Sequence, residues 1–345
     1  MTRKTRVFMT GSAAILATGL CTGLVAYYGG GFQALVASTG PDELTYIASD
    51  AAVVAFADVR SIMDSELRQR FKAAGMAHPL GNEEGQREFK EKTGIDIEHD
   101  IDYVVAAVAN PAATGEMRPR GVVVARGRFD AVKLEGLARE HGAEVQEYKG
   151  KRLLVLRHFA ESQEPTGAVE PTTSIPKDTA VLAFLEPGLV AIGDSTSVQR
   201  SIDAQLSGQS IRSNSEMMEL VSDIERSNNA WAVGRFDLVA NQAKLPQEIA
   251  SKLPPVKWFA AAGHVNGGIS AQLRAEATDD QSGENLRGVL NGVISLARMQ
   301  GKNDPKLTPL IDSLQLSGSG KTVQLSFAIP AEIFELMAPA VKAVH

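Results

Sequence analysis

Cysteine is nearly missing. Cys21 is the single one in 345 residues, which excludes an internal disulfide and any multi-cysteine zinc or iron–sulfur site within the chain. Aromatic residues are scarce at 6%, so neither a base-stacking platform nor an aromatic carbohydrate cleft is expected. Basic charge is not in excess: 35 Lys and Arg stand against 41 Asp and Glu, for a net charge of -6. No clustered basic face of the kind that neutralises phosphates is visible, and nucleic acid is not an expected partner. The histidines, His78, His99, His141, His158, His264 and His345, include no pair four apart on a helix, the spacing that would ligate a metal. They read as ordinary surface or partly buried residues. No metal and no cofactor is expected. What is present, 44% hydrophobic and 22% charged residues, is ordinary for a folded protein of one extended or two domains.

Long uncharged runs are also missing, with one exception. Thr2-Arg3-Lys4-Thr5-Arg6 is a basic head, and Val7 to Tyr28 carries no charge while including Phe8, Ile15, Leu16, Leu20, Leu24 and Val25. Such a segment is long enough to span a bilayer. Tyr27 and Tyr28 end it with side chains suited to a membrane interface. The expected anchor residues are therefore Arg3, Lys4, Arg6, Phe8, Ile15, Leu16, Leu20, Leu24, Val25, Tyr27 and Tyr28. The reading is a retained signal anchor, with a cleaved signal peptide as the alternative. Cys21 follows Leu20 where a lipid-modified cysteine needs a small residue, so it reads as a bystander in the span. The next charges, Asp42 and Glu43, are acidic. Since Lys and Arg mark cytoplasmic flanks, the N-terminus is expected in the cytoplasm and the rest outside it.

After a Gly- and Pro-containing linker over 29–44, two α+β halves are expected, 45–160 and 179–345, joined by an unperiodic loop over 161–178 with Pro165, Pro171 and Pro176. In the first half, Ala52–Ala57 reads as a buried strand and Glu83–Lys92 as a helix. Strands follow at Tyr103–Ala109 and Val122–Arg126, then a helix capped by Asp130 and a hairpin about Gly150. That order resembles a split βαβ arrangement with an extra hairpin strand. The second half repeats the theme, and Gly234-Arg235-Phe236-Asp237 echoes Gly127-Arg128-Phe129-Asp130, which suggests an internal duplication against a chance match at a strand-to-helix junction.

The clearest unit runs from Trp258 to Met299. Ile269, Ala271, Leu273, Ala275 and Ala277 alternate with polar residues, the period of a strand with one buried face. Asn266-Gly267-Gly268 offers residues for a hairpin turn with positive φ. Leu286, Val289, Leu290, Val293, Ile294 and Ala297 then recur at helical steps, so a helix over Glu284–Met299 should lay this stripe, Val293 included, on the sheet. The chain closes with a hairpin about Gly318-Ser319-Gly320, alternating Val323, Leu325, Phe327 and Ile329, and a helix from Pro330 carrying Ile333, Phe334, Met337 and Val341. The fold class is α+β, with antiparallel sheets built from strand-hairpin-helix units behind an N-terminal transmembrane helix.

Motifs with a mechanism fail in context. Gly318-Ser319-Gly320-Lys321-Thr322 lacks the first glycine of a phosphate loop and precedes a strand. Asp96-Ile97-Glu98-His99-Asp100-Ile101-Asp102 begins like a calcium loop, but Ile101 stands at its glycine and Ala107 at its bidentate glutamate, so a solvated acidic turn is expected. Ser174-Ile175-Pro176-Lys177 and Lys92-Thr93-Gly94 stand in the wrong order for a serine acyl-enzyme.

The run Phe89-Lys90-Glu91-Lys92-Thr93-Gly94-Ile95-Asp96-Ile97-Glu98-His99-Asp100-Ile101, with the N-terminal anchor and the strand-to-helix units, resembles an uncharacterised bacterial family. Its members are membrane-anchored extracytoplasmic proteins of unknown function, with a helix ending in Thr-Gly-Ile/Leu-Asp before an acidic turn. The resemblance implies the same topology and carries no catalytic residues. The expected function is a non-enzymatic, single-pass inner-membrane protein whose periplasmic or extracellular part binds an envelope protein or other ligand. Two alternatives stand: an envelope hydrolase whose Ser, His and Asp meet only in three dimensions, and a carrier of an apolar ligand such as lipid.

Overall fold

The computed structural model describes residues 40–73, 87, 90–91, 94–111, 120–140, 142–156, 179–224, 228–239, 254–301 and 308–330. The fold is α+β. The described residues form two compact units, one from 40–60 and 87–223, the other from 61–73 and 224–330. Within each unit every strand pairs antiparallel.

The first unit holds β1 (Val53–Asp58), β2 (Ile101–Val108), β3 (Gly121–Gly127), β4 (Glu144–Tyr148), β5 (Lys151–Leu156), β6 (Ala180–Glu186) and β7 (Leu189–Asp194), in the order β1-β2-β3-β7-β6-β5-β4. The split βαβ arrangement is not formed. β1, β2 and β3 lie side by side as a meander, and β4 to β7 fold back as a second meander that adds β7 to β3. β1 and β2 are neighbours although the chain between them, 59–100, is long and carries the helices Val59–Met63, Glu66–Ala73 and Ile97–Asp100. Two turns are legible in residue type. Lys149 and Gly150, with φ of 48° and 79°, close β4 onto β5 as a two-residue loop with both φ positive, and Gly188 at φ 73° closes β6 onto β7.

Helices α1 (Ala131–Glu140), α2 (Ser195–Ser207) and α3 (Ser215–Ile224) follow strands or turns directly. Asp130 caps α1 as expected, accepting from the Lys133 amide at 3.0 Å. Asp194 caps α2 through the Ser197 amide at 3.0 Å, and the same carboxylate takes Arg120 at 3.2 Å and the Gly121 amide at 3.1 Å. One side chain thereby fixes a helix start and the start of β3. Residues 42–52 are clamped beside α2: Ser201 Oγ donates to the Tyr46 carbonyl at 2.6 Å, and Ala48 bridges Ser210. Leu44, Ile47, Ile202, Ile211 and Met217 are fully buried, the dense apolar centre that this clamp completes.

The second unit holds β8 (Ala230–Arg235), β9 (Val256–Val265), β10 (Gly268–Ala277), β11 (Gln315–Ser317) and β12 (Thr322–Pro330), ordered β11-β12-β10-β9-β8. Helices α4 (Asp280–Gly301) and α5 (Thr308–Ser313) lie between β10 and β11 in the chain. The β9–β10 hairpin pairs Val265 with Ile269 as expected, yet Asn266, Gly267 and Gly268 are not among the positive-φ residues. Gly267 serves another end. A Cβ there would stand 3.2 Å from Glu66 Oε2, and the Asn266 carbonyl accepts from the Leu67 amide at 2.6 Å, so the loop seats the start of the Glu66–Ala73 helix. The Gly318–Gly320 segment is a hairpin turn, with φ of 97° and 56° at its glycines, and the strand β12 follows it directly. Pro330 is the last residue of β12. The expected helix after Pro330, the loop over 161–178, the N-terminal span and most of the Glu83–Lys92 helix lie outside the described residues.

Candidate interaction surface

Among the described residues, the polar groups of the acidic turn are spent on the fold. In the acidic turn, Asp96 caps the short helix Ile97–Asp100 through the Glu98 amide, and Asp100 accepts the Asp96 amide at 2.8 Å. Lys90 reaches Asp96 at 2.6 Å, Arg128 reaches Asp100 at 3.3 Å, and Arg60 pairs with Asp102. Partial burial would by itself raise the Asp96 carboxyl, but hydrogen bonds from Lys90, His99 and the Glu98 amide outweigh it and hold the group down at about 2. Carboxylates occupied in this way form a structural turn, not a cage of free oxygens.

A second cluster closes on itself in the first unit. Glu43 is 4% exposed and receives Arg126 Nε from β3, while the Tyr46 hydroxyl donates to Glu186 Oε1 at 2.7 Å and Arg126 lies 3.7 Å from Glu186. Burial, then the Glu186 hydrogen bond and charge, push the Tyr46 phenol well above its ordinary range, so it stays a neutral donor. A buried carboxylate survives only with such a partner. A cleft of about 20 Å³ is lined by Ala51, Ala109, Ser197 and the Asp50–Arg200 pair, and Ser197 Oγ is buried without a hydrogen-bond partner. The cleft has room for about one water.

His264 on β9 is 7% exposed and neither ring nitrogen has a hydrogen-bond partner. Burial lowers it to about 4, so the ring is neutral at pH 7. His99 is exposed and lies 3.1 Å from Asp96. Among the described residues no histidine hydrogen-bonds a serine hydroxyl.

Apolar surface is where the second unit departs from the expected stripe. Leu286 (4% exposed) and Ile294 (7%) of α4 are buried, and Leu286 packs with Val256 and Val323 against Leu290, Ala275 and Leu316. Val293 is 59% exposed, which corrects the expectation that it lies in the core. The physical cause is width. α4 crosses the edge of its sheet, touching β10, β12 and the three-residue β11, so the sheet covers only the inner part of a broad apolar stripe. Val293 stands about 60° round the helix from the centre of the buried stripe, at 100° per residue. Leu296 at 55% and Met299 at 70% continue outward from it, an i, i+3, i+6 ridge of the kind that packs into the groove of another helix. On the sheet, Leu273 is 43% exposed, although Ile269 and Ala271 are buried as expected. The Leu286 cluster covers Ala275 and Val323, one step short of the Leu273–Leu325 pair.

The expected anchor residues, Arg3 to Tyr28, lie outside the described residues, and among the described residues no helix is long and apolar enough to cross a membrane. The α4 ridge was missed because alternation and helical period show which residues are apolar, not how much sheet lies beneath them. Met299 and Leu296, falling off the i, i+4 rows of the buried stripe, were the available signal.

No family model matches the chain, and no curated protein matches it. Among solved structures it is similar to crystal form I of TP0453, at 11% identity and a TM-score of 0.46, over 86% of this chain and 96% of that one.

Proposed function

We propose that this chain is a non-enzymatic interaction module, held to a membrane by residues 1–28, that takes a protein partner on the α4 ridge. The observation that carries this reading is the outward placement of Val293, Leu296 and Met299 on one helix. Burying a side chain of this size is worth about 1.5–3 kcal/mol, so a ridge of three left in water is a surface with binding free energy in reserve. The polar clusters support the same reading, since their carboxylates and arginines face one another rather than a substrate.

The test is site-specific photocrosslinking in the full chain expressed in bacterial membranes. A photoreactive residue at Leu296 is expected to give a discrete heavier adduct, and the same group at Asn291, exposed about 140° away round α4, is expected to give none. Equal adducts from both positions, or none from either, would remove the ridge from the proposed function.

A further inference from the structure

Two glycines stand in the open middle of α4. Gly283, nearer the start of the helix, has a packing reason: a Cβ there would lie 2.2 Å from the Gly320 carbonyl oxygen, so helix and turn meet at their backbones. Gly288 and Gly292 have no such reason among the described residues. Both are exposed, and a Cβ on either would meet nothing within 4 Å. Glycine in a helix interior is destabilising relative to alanine, so two of them where a side chain would fit freely are a cost that the single chain does not explain.

Their position beside the ridge does. At 100° per residue, Gly292 marks the middle of the outer face, with Gly288 and Leu296 about 40° to either side of it and Met299 about 20° away. The exposed Leu296 and Met299 therefore border a groove floored by bare backbone. A second α4 running antiparallel, with a two-fold axis at Gly292, brings positions equally far before and after that glycine to one level. Leu296 of each copy then meets Gly288 of the other, ridge into groove, and Met299 meets Asn285. Charge favours the same direction. From Gly288 to Gly301 the sole charged residue is Arg298, so two copies set no row of like charges across the face. Glu284 and Arg298 share one flank of the helix, and the antiparallel pair brings them within about 3 Å of one level, acid beside base. A parallel pair would set Glu284 against Glu284 and Arg298 against Arg298.

We infer that α4 is a self-association helix: the partner its ridge takes is a second copy of this chain, packed antiparallel with Leu296 of each copy over Gly288 of the other. This rests on the proposed function of the ridge and names its partner.

The experiment uses the full chain in detergent with Cys21→Ser, so that introduced thiols are the only ones. Chains carrying Asn285→Cys are mixed with chains carrying Met299→Cys and treated with a short bismaleimide. In the antiparallel pair these two thiols are level, whereas two copies of either variant hold theirs about 21 Å apart along the helix. The mixture is therefore expected to give a product at twice the monomer mass, and each variant alone to give almost none. Gly292→Leu, which fills the groove, should abolish the product, while Gly136→Leu, at an equally open glycine of α1, should leave it in place. Equal product from either variant alone, no product from the mixture, or a product that survives Gly292→Leu would overturn the pairing. A milder variant guards against misfolding: Gly288→Ala with Gly292→Ala should raise the urea midpoint and reduce the product, and a product that rises with the midpoint counts against the groove. Photoadducts from Leu296 to a protein of another mass, with no bismaleimide product, sink the self-pairing alone. Neither adduct nor product sinks the ridge with it.

Discussion

His264 shows how much a single buried side chain can impose on the whole. Its ring is lowered from 6.5 to about 4 by burial, so between those values the unfolded chain binds a proton that the folded chain refuses. Stability therefore rises with pH across that window: it is fully present above 6.5 and is lost as pH falls toward 4. From pH 7 to pH 5 the loss from this one group is about 2 kcal/mol at 1.36 kcal/mol per unit. Urea midpoints of a fragment starting at Gly40 should drop between those two pH values, and the drop should be smaller by that amount in His264→Leu. Parallel slopes in the two proteins would show that the ring gains a proton without unfolding. The sequence left His264, like the other five histidines, as an ordinary surface or partly buried residue. The depth of its burial was not legible, because it depends on what packs across the strand faces.

The same division appears in α4 at the scale of an element. Its existence was legible from the three- and four-residue recurrence of Leu286, Leu290 and Ile294, and the structure lengthens it at both ends to Asp280–Gly301. Periodicity assigned Val293 to the core, and the edge of the sheet leaves it in solvent. This makes a sharp contrast measurable by urea denaturation. Leu286→Ala should cost about 2–5 kcal/mol by removing a buried side chain packed on Val256 and Val323, whereas Val293→Asp, at a side chain already 59% exposed, should stay within about 0.5 kcal/mol. A large loss at Val293 would mean the helix is turned the other way. The hairpins divide similarly. Lys149-Gly150 and Pro187-Gly188 declare their turns in residue type, but Asn266-Gly267-Gly268 is shaped by the Glu66–Ala73 helix that lies against it, a neighbour some 200 residues away in sequence.

For the whole molecule, the testable statement is topology. The proposed anchoring by the basic head and the uncharged run to Tyr28 has the N-terminus in the cytoplasm and His345 outside it. Alkaline phosphatase fused after His345 should be active, and a cytoplasmic reporter at the same site silent. The opposite pair of results would invert the orientation.

By itself the sequence determined the local things: strand and helix periods, the cap at Asp130, the turns at Gly150 and Gly318–Gly320, and the failure of the phosphate and calcium motifs. Each depends on residues a few positions apart, where backbone geometry leaves few choices. Tertiary structure alone decided the rest. It set the meander order in place of a split βαβ, the closing of Glu43 on Arg126 across 83 positions, and the limit of the sheet beneath α4. Burial is a property of what lies opposite, and a residue's own neighbours in the chain carry no record of where a sheet ends.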